Sequence, residues 1–106
     1  MTVPFANAYQ RDIHFKRHGA EFGAATEVDY EALADRFMFG PMNADTRDCT
    51  RASCDDYLRM DQIKTDFGVT CVTTGFLRTF YKPPAIKIWN RGGAKRFLAY
   101  ECARVF

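Results

Sequence analysis

Apolar and polar positions alternate along this chain with two different periods, helical in the first half and strand-like in the second. The clearest helical stretch runs from Glu27 to Phe39. Tyr30, Leu33, Ala34, Phe37 and Met38 recur there at the spacing of one helix face. Thr26 is a good N-cap for that helix, with Asp29 three residues on as a variant capping box. Glu27, Asp29 and Glu31 favour its positive end, and Gly40-Pro41 stops it. Residues 9–17 fit a shorter helix with Tyr9 and Ile13 on one face, and residues 1–8 read as a loosely held arm. Residues 41–55 are polar and turn-rich and read as a long loop.

From residue 57 the period changes to two. Tyr57–Gln62 reads as a short strand. Phe67, Val69 and Cys71 alternate with Gly68, Thr70 and Val72 in a second. Thr74-Gly75 supplies a turn, and Phe76–Lys82 makes a third strand, ended by Pro83-Pro84. Residues 85–94 read as a loop or hairpin connection, and 96–105 fit either a strand or a helix. Helices first and an antiparallel meander second predict an α+β fold, a single domain over residues 1–106 with its N-terminal helices on one face of a small sheet.

Composition narrows the class. Aromatic residues make up 15% of the 106, enough for a core and unlike a disordered chain. No apolar run approaches a membrane span, and the N-terminus lacks the form of a signal peptide, so a soluble piece is expected, including one excised from a larger exported protein. Net charge is only +2, but basic residues crowd the two flanks while acidic ones crowd the stretch between Glu27 and Asp66. If the ends meet in space, one face is basic and suited to phosphates. Cys49, Cys54, Cys71 and Cys102 lack zinc-site spacing. They predict free buried thiols in a reducing compartment, with Cys49–Cys54 the one pairing considered, and no metal.

Candidate chemistry lies in a few side chains. His14 and His18, the only histidines, are four apart and share a helix face, suited to acid–base work near neutral pH. Glu21 follows His18 by three and can pair with it. Thr79 and Tyr81 are two apart on the third strand and point to one side of the sheet, with Arg78 and Lys82 expected on the other unless the strand end twists. Two hydroxyls and a cation are the kind of groups that hold phosphate oxygens. Asp61, with Arg59 just before it, can orient a basic side chain or simply close a turn.

In combination the strings HFKRHGAEFG, TEVDYEALADRFM, RMDQIKTDFGV and GFLRTFYKP resemble the barnase–EndoU–colicin–RelE superfamily of bacterial and phage ribonuclease toxins, which occur at the C-termini of contact-dependent and secretion-system toxins. The likeness spans roughly residues 13–83. It implies a metal-independent, cofactor-free endoribonuclease: a base takes the ribose 2′-OH proton, the 2′-oxygen attacks phosphorus, and a 2′,3′-cyclic phosphate remains. On that reading His14, His18, Thr79 and Tyr81 are catalytic. Arg78, Lys82, Glu21, Arg59 and Asp61 contact substrate or orient those that do. RNA, with tRNA as one candidate, is the implied substrate. An acidic immunity protein is the implied partner, and the cytoplasm of a target cell the implied place of action. The chain departs from the pattern in having Cys54-Asp55-Asp56 where a Gly-Asp is expected, in lacking a histidine after the proline pair, and in a loosely matching C-terminal segment. Competing readings are a noncatalytic nucleic-acid-binding module, a protein-interaction domain, and a toxin of another enzyme class such as an ADP-ribosyltransferase.

Overall fold

The computed structural model describes residues 5–51 and 54–105. Helix α1 spans Ala8–His18 and runs into a 3-10 turn at Gly19–Phe22; α2 spans Glu27–Phe39. Four strands follow, β1 (Thr46–Thr50), β2 (Asp56–Asp61), β3 (Phe67–Cys71) and β4 (Leu77–Tyr81), then α3 (Ala85–Arg91) and α4 (Ala94–Ala103). The sheet order is β1-β2-β3-β4 with every neighbour antiparallel, β2 to β4 being the meander read from the two-residue period.

The caps follow the sequence. Thr26 accepts a hydrogen bond from the Asp29 N–H at 3.1 Å, and Gly40 closes the helix. The stripe on α2 buries Tyr30, Ala34 and Met38 against Phe80 and Leu77 of β4, and the Tyr30 hydroxyl donates to the Phe80 carbonyl. Burial pushes the Tyr30 phenol well above its ordinary range, so it stays a donor. Gly68 of β3 lies directly under Met38, where any Cβ would overlap the methionine sulfur.

Several expectations are corrected. The N-terminal helices do lie on one face of the sheet, but a second core fills the other. There Leu58, Met60, Phe67 and Val69 pack against Phe97 and Leu98 of α4. The open choice for residues 96–105 is thereby decided for helix, because Phe97 and Leu98 on one helix face cover strand residues that would otherwise be bare. Residues 85–91, read as loop, form α3. The connection over 41–55 contains β1, whose burial pattern is that of an exposed edge strand and leaves no apolar alternation to read. Of the arm, residues 1–4 lie outside the described residues, while Phe5 is buried and bridges to Leu77 in parallel.

Cysteine pairing is also corrected. Cys49 of β1 bonds to Cys102 of α4 across 53 residues of chain, with Cα atoms 6.2 Å apart, and Cys54 and Cys71 are free. Local spacing cannot anticipate a bond between an edge strand and the last helix. Among the described residues no helix is long and apolar enough to cross a membrane.

Candidate functional site

The register of β3 against β4 slips between Val69 and Thr70: Val69 faces Thr79, but Thr70 faces Leu77. Arg78 is the extra residue. A bulge turns two successive side chains to one side of a sheet, and Arg78 accordingly lines the same cavity as Thr79 and Tyr81 rather than the opposite face expected from strict alternation. The cavity holds about 360 Å³ and is walled by Phe67 and Val69 from the sheet, Arg51 and Asp56 from the β1–β2 hairpin, Glu101 from α4 and Arg104 just past its end.

Its floor is a chain of charges. Arg78 Nε donates to Asp56 Oδ1 at 2.9 Å; Arg51 Nη1 donates to Asp56 Oδ2 at 3.2 Å. Arg51 continues to Glu101, through Nε to the main-chain carbonyl at 2.7 Å and through Nη2 to the carboxylate at 3.1 Å, and Arg104 meets the same carboxylate at 3.2 Å. Among the described residues three arginines, Arg51, Arg78 and Arg104, share two carboxylates, Asp56 and Glu101, here. Arg78 is half-exposed and has room to turn towards an anion, whereas Arg51 is only 4% exposed and fixed. The Asp56 carboxylate beside Arg78 pushes the guanidinium further towards its charged form.

Sequence reasoning missed Arg51, Asp56, Glu101 and Arg104. One signal was present at Asp55-Asp56, where the resemblance leads to the expectation of Gly-Asp. Asp55 has a φ of 58°, the left-handed conformation that glycine adopts without strain, and that turn presents Asp56 to both arginines.

His18 reaches this region from the other side of the edge strand. Its ring lies 5.2 Å from that of Tyr81, centroid to centroid. Its Nδ1 is 2.7 Å from Glu21 Oε2, while Glu21 Oε1 accepts the main-chain N–H of Lys82 at 2.7 Å. The carboxylate therefore ties the imidazole to the end of β4 and makes Nδ1 the protonated nitrogen, so Nε2 carries the free lone pair in the neutral ring. Burial, then the charge of Glu101, raises the Tyr81 phenol above its ordinary pKa and keeps its proton at neutral pH.

The other expected residues fall elsewhere. His14, half-buried, stacks on Phe5 at 4.9 Å, 6.4 Å from the His18 ring, with Nδ1 buried and unpartnered among the described residues. Burial, then the nearby His18 and Arg17, lowers its pKa. Lys82 bonds Asp66 and lies over the Phe22 ring. Arg59 donates to the Phe37 and Gly40 carbonyls at 3.1 and 2.7 Å, capping α2. It pairs across the sheet with Gly68 and so sits on the α2 face, away from Thr79. Asp61 closes the β2–β3 turn by accepting from the Ile63 and Lys64 N–H groups, both at 2.8 Å. Burial opposes its charge, but these bonds outweigh it and hold the carboxyl below its ordinary pKa. Arg59 and Asp61, expected at the substrate, thus serve backbone groups on the far side of the sheet.

Among the described residues no three His, Cys, Asp or Glu side chains converge as a metal-ligand set. The chain matches no protein-family model, and no curated protein matches it.

Proposed function

We propose that this domain is an endoribonuclease of the toxin type its sequence resembles, acting without a metal at the end of β4. The observation that carries the reading is the Glu21-held His18 ring beside that of Tyr81, which itself lines a cavity together with Arg78 and Thr79. His18 Nε2 takes the proton of the ribose 2′-OH. The 2′-oxygen forms a bond to phosphorus as the bond from phosphorus to the 5′-oxygen breaks. The Tyr81 phenol protonates the leaving oxygen, which is far more basic than a phenolate; His18 then releases its proton to solvent and Tyr81 recovers one from it, restoring both groups. Arg78 and the Thr79 hydroxyl hold the nonbridging oxygens, where charge builds. His14 supports His18 through packing. DNA has no 2′-OH and is not a substrate. By the same resemblance the domain is delivered as part of a secreted toxin, acts on RNA such as tRNA in the cytoplasm of the target cell, and is neutralised at home by an immunity protein.

The test is incubation of purified protein with total RNA in EDTA, followed by analysis of product ends. Cyclic 2′,3′-phosphate ends are expected, with His18→Ala lowering the rate about a hundredfold or more while the fold persists. RNA bound and left intact would move the reading to a noncatalytic binding module. Unchanged cleavage by the His18→Ala protein would remove that imidazole from the site.

A further inference from the structure

A second cavity, about 380 Å³, opens between α3 and α4 and shares Tyr81, Glu101 and Arg104 with the first. Gly92 and Gly93 create it: their φ values of 93° and 110° suit glycine and fold α3 back beside α4. Lys87, Asn90 and Arg91 line one wall and Tyr100 the other. The Arg91 guanidinium lies 3.5 Å from the centre of the Tyr100 ring, a stacked pair in which the cation is already oriented. On the same short helix Trp89 is 80% exposed, buried in neither core. Among the described residues that line it, Lys87, Arg91 and Arg104 are joined by one carboxylate, Glu101, which is paired with Arg51 and Arg104.

We infer that this cleft is a binding subsite for a single-stranded RNA segment, continuing the strand whose scissile phosphate sits at Tyr81. The inference rests on the ribonuclease reading for its direction along the strand, but the cleft's chemistry stands apart from it. Flat aromatic and guanidinium surfaces accept unstacked bases of any sequence, and interleaved cations follow the backbone. Asn90 offers a donor and an acceptor to one base edge. A duplex keeps its bases stacked and cannot enter such a cleft.

The experiment compares Lys87→Gln/Arg91→Gln and Tyr100→Ala, two variants at exposed positions, with the parent chain. Binding of a fluorescent decanucleotide RNA is measured in a His18→Ala background, and cleavage in the active chain. Loss of the aromatic platform is expected to weaken decanucleotide binding roughly tenfold. Loss of the two cations makes the dependence of log affinity on log salt shallower by about 1.4. In the active chain the preference for the decanucleotide over a dinucleotide falls by a similar factor. Unchanged decanucleotide affinity in both variants overturns the subsite, as does equal affinity of the parent chain for a duplex of the same length. A parent chain that cleaves no RNA, with variants that still lose decanucleotide binding, retires the nuclease and keeps the subsite. Cleavage by every chain with no change in length preference retires the subsite and keeps the nuclease.

Discussion

Replacing Arg51 by Met is the sharpest test of how the cavity is held. Arg51 is buried at 4% exposure and makes hydrogen bonds to three acceptors, the Asp56 carboxylate, the Glu101 carboxylate and the Glu101 carbonyl. Removing one partner of a buried ion pair costs about 3–5 kcal/mol, most of it from the charge left unpaired. Here Asp56 keeps Arg78 and Glu101 keeps Arg104, so the expected cost lies at the lower end, about 3 kcal/mol, chiefly for the orphaned carbonyl and the weakened desolvated carboxylates. For a domain of this size each kcal/mol moves Tm by about 4–8 °C, so a drop of about 12–24 °C is expected. Arg51→Lys restores the charge but not the planar fork and cannot reach all three acceptors, so it should fall between parent and Met. Thermal unfolding followed by near-UV circular dichroism, with urea titration as a second measure, reads both. A Met variant within about 2 °C of the parent, on the same scale, would mean that the arginine chain is a surface ornament and that the cavity floor is held by something else.

Three further outcomes are expected. Gly68→Ala should destabilise by about 1–3 kcal/mol, because its Cβ overlaps the Met38 sulfur in a closed layer; a double-mutant cycle with Met38→Ala checks this, and strict additivity would contradict it. Cys49→Ser/Cys102→Ser should cost about 4 kcal/mol by the loop-entropy account, since the bond spans 53 residues and ties α4 to the edge strand; an unaltered urea midpoint, or one unmoved by reductant in the parent, would refute it. His14 has a lowered folded-state pKa, so it favours folding while neutral; its contribution is full above the ordinary histidine pKa of 6.5 and is lost as pH falls towards the depressed value. The slope of Tm against pH below 6.5 should therefore flatten in His14→Gln, and an unchanged slope would place the acid sensitivity elsewhere.

What could be read in the sequence was whatever local chemistry governs. The α2 helix, its Thr26 cap and Gly40 stop follow from short-range patterning, as do the strands carrying Phe67 and Phe80, and all are found within a residue or so of the expected bounds. The pairing of His18 with Glu21 is equally local, three residues along the chain. Edge strand β1 escaped because an exposed strand has no alternation to betray it, and α3 because Pro83-Pro84 and Gly92-Gly93 mimic loop punctuation on either side of seven helical residues.

Only the tertiary structure decided the rest. A one-residue slip in the β3–β4 ladder moves Arg78 to the side of Thr79, and no side-chain period records a slip. Arg51 and Glu101 lie 50 positions apart and became partners because α4 covers the second face of the sheet, which also brings Cys102 to Cys49. Histidines four apart share a helix face by geometry, yet His14 stacks on Phe5 while His18 lies beside Tyr81 at the sheet edge, partners that only the packing of α1 supplies. Sequence periodicity reports which face of an element is apolar; which groups meet across faces depends on packing between elements, and packing is a property of the whole fold.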